Sequence, residues 1–465
     1  MSTPARAAAR PALWYRLAWA VVLPLAALYL LWRAVRQRDY LRHWDERFLG
    51  RGAARSAPPG VPLIWVHAVS VGETRAAGPL LAQLAARLPQ AHFLLTHMTP
   101  TGRAAGAELA RVLPGRVQQR YLPYDLAGAV QRFFRQTRPA IGLLMETEVW
   151  PSLLHGAALQ QVPVLLVNAR LSARSLAKAL RQRELIRGAA AGLAAVGAQT
   201  AADRDRIAQL YPGPVVVTGN LKFDQQPDAA QQADGARLRR DLLGRYGASA
   251  APDGKAAPSA IWLFASTREG EERLLLDALR AWRSAHPGAA QALLLFVPRH
   301  PQRFDEVARL LQESGAPLLR RADWAAAPAT AGGEPPWLLG DSMGEMALYY
   351  AMADVALIGG SLLPLGGQNL IEACACGCPV VLGPYMFNFA QAAADALAAG
   401  AALQVGGAQE AIAALARLAV PQERSRRSTA ALAFAAAHRG ATRRTLELLA
   451  PQLEGRGPSG SAPPG

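Results

Sequence analysis

The chain has 465 residues, 51% hydrophobic and 18% charged, a composition that excludes a disordered protein and exceeds what one ordinary core accommodates. Fifty Lys and Arg against 34 Asp and Glu give a net charge of +16, which suits anionic lipid or a phosphorylated substrate, although an arginine-rich composition also follows from a GC-rich genome. The arginines are scattered without aromatic interleaving, which speaks against a nucleic-acid partner, and three clustered cysteines exclude a disulfide framework and point to a reducing compartment.

In chain order, the first element is LAWAVVLPLAALYLLW, an uncharged stretch between Arg16 and Arg33 with Trp19, Tyr29 and Trp32 near its ends. It falls short of the ~20 apolar residues that cross a bilayer core. Flanking arginines can snorkel, so a marginal span and an in-plane anchor both fit. No A-x-A-like site follows, and the next segment, RAVRQRDYLRHWDERF, is basic. That pattern argues against a cleaved signal peptide and for an anionic cytoplasmic leaflet beside it. Residues 1–50 are thus expected to form a membrane anchor and a basic juxtamembrane segment, with the bulk of the chain in the cytoplasm.

From residue 61 apolar strands alternate with helices: PLIWVHAVS, HFLLTHM, RVQQRYLPYD, AIGLLMETEVWP, PVLLVNARL and VVVTGNLKFD mark the strands. This is the signature of parallel βαβ units in a doubly wound sheet, here over 61–224. Residues 225–259 are polar, with a helical middle, and read as a linker or hinge. The alternation restarts at 260 with AIWLFAST, ALLLFVPRHP, WLLGDS, DVALIGGS and PVVLG, giving a second α/β domain over 260–450. An insertion near 323–336 reads as mobile, and the tail 455–465 as disordered. Two such halves suggest a cleft with ligands at the carboxyl ends of the strands.

Common signatures fail: no phosphate loop, dinucleotide glycine fingerprint or HExxH is present. AVSVG departs from a nucleophile elbow at Ala68. The informative residues are carboxylates and cations at strand ends. Glu73 follows the first strand at a helix start; it either complements the helix dipole or, with its ionised form favoured there, serves as a base. Glu146 and Glu148 close an otherwise apolar strand in METEVWP. Lys222, in GNLKFD, either balances developing negative charge or is a solvated loop lysine. In the second half, Arg299 and His300 suit a phosphate, and Ser342 and Glu345 have capping-box spacing around Gly344 at an anion-suited helix start. Glu372, expected one turn into helix NLIEACAC, suits the two hydroxyls of a ribose.

With these residues in view, the chain resembles the 3-deoxy-D-manno-octulosonic acid (Kdo) transferases of lipopolysaccharide synthesis. The matching blocks, in order, are VSVGET, MTPTG, YLPYDL, METEVWP, NARLSARS, GNLKFD, PRHPQRF, GDSMGEM, GGSLLPLGGQN and GPYMFNF. The resemblance implies a GT-B glycosyltransferase: two Rossmann-like domains facing a cleft, the first binding acceptor and the second CMP-sugar, behind an N-terminal anchor helix. It implies CMP-Kdo as donor, the lipid A precursor lipid IVA as acceptor, inversion without metal or other cofactor, and the cytoplasmic face of the inner membrane. It also implies Glu73 as proton acceptor, Glu146 and Lys222 as transition-state stabilisers, and CMP contacts from Arg299, His300, Gly344, Glu345, Met346, Asn369, Leu370, Ile371 and Glu372. A GT-B transferase using another nucleotide sugar on a lipid or cell-envelope acceptor is the alternative. The sequence departs from the family pattern in places: Gln368 and Arg268 stand where histidine is usual, and Leu370-Ile371 where Pro-Leu is usual before the glutamate. Cys374, Cys376 and Cys378 offer too few ligands for a metal site and read as small-residue packing.

Overall fold

The computed structural model describes residues 8–53, 55, 57–247, 258–287, 292–325 and 335–454. The expected tail 455–465, residues 248–257 of the expected linker and residues 326–334 of the expected insertion lie outside the described residues. Two compact units form, one from residues up to Gln225 with those from Arg439 onward, the other from Gln226–His438.

The first unit carries strands β1 (Leu63–His67), β2 (His92–His97), β3 (Val117–Tyr121), β4 (Ile141–Met145), β5 (Val164–Ala169), β6 (Leu193–Ala198) and β7 (Val215–Val217). They form one sheet in the order β3-β2-β1-β4-β5-β6-β7, every pairing parallel. Helices cover both faces, which is why β1 and β4 are buried at all five positions and read as continuous apolar runs rather than alternating ones. Trp65, Leu94 and Phe133 pack on one side of the sheet and Leu80, Phe93 and Val167 on the other. The order reverses beside β1, so the carboxyl ends of β1 and β4 flank the topological switch point, where ligands bind in such sheets.

The second unit repeats the plan with β8 (Ala260–Thr267), β9 (Ala292–Pro298), β10 (Leu318–Arg320), β11 (Trp337–Leu339), β12 (Val355–Ile358), β13 (Val380–Leu382) and β14 (Ala402–Gln404). Its order, β10-β11-β9-β8-β12-β13-β14, is again all parallel and puts the switch point between β8 and β12. The α/β architecture expected from the alternating pattern is therefore present twice.

Three boundaries differ from the sequence expectation. Much of the segment read as linker is the helix Ala229–Gly247, packed on the helix Met346–Met352 so closely that a Cβ on Gly235 would meet Leu348 O at 2.4 Å. The second unit ends at His438, not 450, because the last helix, Ala441–Glu454, buries Leu446 and Leu449 in the first unit's core. Asp224 fixes that return: its carboxylate accepts from Gly440 N at 2.6 Å and from Thr442 N, while Arg444 Nε donates to Thr218 O at 2.8 Å. The insertion begins as packed structure, since Trp324 is 1% exposed and donates to Leu319 O. Strands β10 and β14, three residues each, escaped the sequence reading because so short a run carries little periodic signal, and the eight-residue helices Ala173–Leu180 and Arg183–Ala190 escaped it as well.

The N-terminal apolar stretch lies within helix α1 (Leu13–Arg36). It is long and apolar enough to cross a membrane by length and composition.

Candidate active site

In the first unit, β1 delivers the chain to Ser70, which caps the helix Val71–Arg87. Glu73 closes the cap from the other side: Ser70 Oγ donates to Glu73 Oε1 at 2.9 Å and Val69 N donates to Oε2 at 2.9 Å. The S-x-x-E pattern thus makes a variant of the capping box, in which the glutamate takes the N–H of the residue before the cap and is half-buried. Helix-start placement had suggested a favoured ionised form. Instead, burial first and the Glu146 charge second lift the carboxyl above its ordinary value, outweighing Val69, Ser70 and Lys222. That direction brings a carboxylate closer to the pH at which a base works.

Glu146 ends β4 in the left-handed region, with φ of +60°, and is 7% exposed. A non-glycine residue held there costs of order 1–3 kcal/mol and persists only where its surroundings fix it. Here Arg170 Nε donates to Oε2 at 2.8 Å and Lys222 Nζ to Oε1 at 3.3 Å. Lys222 is therefore no solvated loop lysine. Its backbone N donates to Asn220 Oδ1, and the preceding Leu221 N donates to Asn168 Oδ1, both at 3.0 Å. Glu148, two residues beyond Glu146, is pushed up to about 7 by burial and by Glu73, with Glu146 adding and Trp150 opposing. An apolar cavity of about 150 Å³ adjoins Glu146 and Arg170, walled by Leu166, Val196 and Ile207. The two nearby histidines are no bases: burial lowers His67 to about 3 and His97 to about 4, leaving both neutral.

In the second unit, Arg299 and His300 follow β9. Arg299 Nε donates to Gln368 Oε1 at 3.1 Å, so the residue standing in place of a histidine still supplies an acceptor to this arginine. His300 is held below its ordinary value by burial, then by Arg268 and Arg299. Arg268, the other departure, thus acts on His300 through charge. Glu271, 1% exposed, accepts from Arg268 N at 2.9 Å, Gly360 N at 2.6 Å and Leu362 N at 3.0 Å, binding the loops after β8 and β12 to each other. Gly366 and Gly367 have φ of +93° and +73°, and a Cβ on either would meet Asn388 or Met386 within 2.3 Å. Only glycine fits this turn.

Two helix starts differ from expectation. Gly344, with φ of +84°, breaks the helix, which begins at Met346 with Glu345 as its cap residue, so Ser342 is no N-cap. Ser342 Oγ instead donates to the Glu345 carboxylate, as do Arg321 Nη2 at 3.0 Å and Nε at 3.1 Å. Burial alone would raise Glu345, but Ser342 and Arg321 bring it below the ordinary carboxylate value. The helix Ile371–Ala375 starts late, putting Glu372 in its first turn rather than one turn in. Leu370 and Ile371 are buried whole, at 0% and 1% exposure, while Asn369 Oδ1 accepts from Ile371 N at 3.1 Å.

Cys374 and Cys378 are buried and Cys376 is half-buried. Burial pushes Cys374 and Cys376 up to about 12 and Cys378 well above its ordinary value, so all three remain thiols. Among the described residues no group of three or more His, Cys, Asp or Glu is placed to hold a metal.

Sequence reading missed Asn168, Arg170, Glu271 and Arg321. The one available signal was Asn168, a polar residue inside the apolar strand VLLVNA. Partners such as Arg170 and Arg321 act across sequence separations of 24 residues and carry no local pattern.

Residues 42–225 match a family model described as 3-Deoxy-D-manno-octulosonic-acid transferase (kdotransferase). A 3-deoxy-D-manno-octulosonic acid transferase of Bordetella pertussis is 47% identical over 433 residues, covering 91% of this chain and 96% of the relative. One from Haemophilus influenzae is 33% identical over 93% of this chain and 96% of its own length. Among solved structures, a glycosyltransferase from Rickettsia africae shares 12% identity at a TM-score of 0.55, covering 85% of this chain and 99% of its own. A UDP-GlcNAc 2-epimerase from Neisseria meningitidis shares 14% identity at 0.53, over 84% of this chain and 100% of its own. These last two likenesses concern the fold.

Proposed function

The chain belongs to the 3-deoxy-D-manno-octulosonic acid transferase family, and from that membership we propose that it moves Kdo from CMP-Kdo onto the lipid A precursor lipid IVA, inverting the anomeric centre without a metal. A bond forms between an acceptor hydroxyl oxygen and the anomeric carbon, and the bond from that carbon to the CMP phosphate oxygen breaks. Glu73 takes the proton of the attacking hydroxyl.

The observation that carries this reading is the state of Glu73. Its carboxyl is fixed by Val69 N–H and Ser70 O–H and raised by burial and by Glu146. A carboxylate has about four lone-pair sites, so acceptor capacity remains for a proton. Glu146 holds Lys222, whose ammonium offsets negative charge in the transition state. Arg299 and His300 hold the CMP phosphate. Gly344, Glu345 and Met346, with Asn369 through Glu372, hold the remainder. The apolar cavity beside Glu146 and Arg170 suits an acceptor that carries lipid. The apolar α1 and its basic flank suit the anionic cytoplasmic face of the inner membrane, where such a lipid is reached.

Purified protein given lipid IVA and CMP-Kdo generated in situ should yield a product heavier by one or more Kdo units, counted by mass spectrometry. Turnover with a different nucleotide sugar and none with CMP-Kdo would replace this reading with the wider GT-B alternative.

A further inference from the structure

Helix α1 has two faces with different partners. Trp14, Leu17, Val21, Leu25, Leu28 and Trp32 recur at three- and four-residue steps and fall on one side of a 3.6-residue helix, and each is 54–66% exposed. The opposite side, running through Tyr15, Trp19, Leu23, Ala26, Leu30 and Ala34, is buried or half-buried along the whole helix.

That inner side rests on the first unit at both ends. Near the start, Tyr15 Oη donates to Asp125 Oδ2 at 2.7 Å, and the Trp19 ring lies 6.1 Å from that of Tyr124. Near the end, Leu30 and Ala34 pack with Tyr40, Trp44 and Phe48, and Arg33 Nη2 donates to Tyr40 Oη at 3.0 Å. A helix crossing a bilayer cannot keep one side against a water-soluble unit from its first turn to its last. Length does not decide between a crossing and an in-plane helix, because the whole helix Leu13–Arg36 is long enough to cross a bilayer.

We propose that α1 lies in the plane of the membrane, inner side docked on the first unit and outer side in the acyl boundary of one anionic leaflet, rather than spanning it. Charge fits this occupant. Residues 8–38 hold five arginines and no acidic residue. A cavity of about 500 Å³ at the start of α1, lined by Arg10, Trp14, Arg181 and Arg183, continues the basic surface onto the turn between Ala173–Leu180 and Arg183–Ala190, beside exposed Leu180. Such a helix binds by apolar burial plus attraction to anionic headgroups.

The docking contact also reaches the candidate site. Asp125, 1% exposed, accepts from Ser152 N at 2.8 Å and Leu153 N at 2.7 Å, in the first turn of the helix Pro151–Leu159. That helix follows directly on the turn carrying Glu146 and Glu148. One carboxylate therefore fixes both the anchor and the start of the helix behind the catalytic turn.

The inference rests on the membrane location proposed above and not on the sugar transferred, so its test reads topology rather than turnover. Full-length protein with an N-terminal epitope tag is expressed, and inverted inner-membrane vesicles, cytoplasmic side outward, are treated with protease. The tag and the body should be digested together without detergent. A tag protected until detergent is added means a spanning helix and overturns the proposal, as does wild-type protein found chiefly in the soluble fraction. The outer-side pair Val21→Glu with Leu28→Glu should lower the membrane-bound to soluble ratio at least tenfold with an unchanged melting temperature. Unaltered membrane binding of that folded variant would equally overturn the assignment of this side to lipid.

Discussion

The strand-end clusters of the two units are built from opposite chemistry on the same sheet plan. The first gathers three glutamates, Glu73, Glu146 and Glu148, with Lys222 and Arg170 bound to one of them. Burial and mutual repulsion raise Glu73 and Glu148, the direction that suits a carboxylate for proton chemistry. The second gathers Arg268, Arg299 and His300, and its glutamates are spent on main-chain amides and on arginines, as buried Glu271 and half-buried Glu345 show. Such a surface suits anions. On the proposed function the duplicated architecture separates proton chemistry from anion binding, and four measurements test that separation.

The largest effect is expected from Glu73→Ala. Loss of a general base costs roughly 10²–10⁴-fold in turnover, while CMP affinity, read by calorimetry, should stay unchanged. A matching loss of CMP affinity would break the division of labour. Next, Arg299→Ala should weaken CMP about ten- to a hundredfold, the range of a charge-assisted hydrogen bond, while leaving the acid limb of the pH profile in place. That combination assigns the arginine to binding.

The third measurement is the pH profile itself. Glu73 is raised by Glu146 and lowered by Lys222. Lys222→Met should therefore move the acid limb of kcat/KM to higher pH, and Glu146→Gln should move it to lower pH. Shifts in the same direction would show that the limb does not report Glu73. The smallest effect concerns Glu148. Its folded value of about 7 exceeds the ordinary 4.5, so its contribution to stability is complete below 4.5 and is lost as the pH rises through 7. Glu148→Gln removes that titration, so its melting temperature should gain on wild type by a few degrees between pH 4.5 and pH 8. A constant difference across that range would place Glu148 in ordinary solvent and the cluster outside proton chemistry.

Much of this was legible in the sequence because parallel sheets covered on both faces need long apolar runs, and PLIWVH or ALLLFV can be little else. The candidate residues were legible for a related reason: a charge that ends such a run, like Glu146 or Arg299, stands out against it. In the sequence Gln368 is simply a departure from the usual histidine. Only the distance to Arg299 shows that the amide oxygen keeps an acceptor there. Likewise the sequence marked α1 as apolar, while its two faces emerge from contacts with Tyr124 and Asp125, over a hundred residues away.

What the sequence determined by itself was the alternation of strands and helices, the apolar anchor and the residue types at each strand end, since periodicity and composition act locally along the chain. Tertiary structure alone decided that Ala441–Glu454 belongs to the first unit, that Glu73 is raised rather than lowered, and that Lys222 is held by Glu146. Each of these depends on which groups burial brings together, and burial sums over neighbours that the chain order does not place side by side.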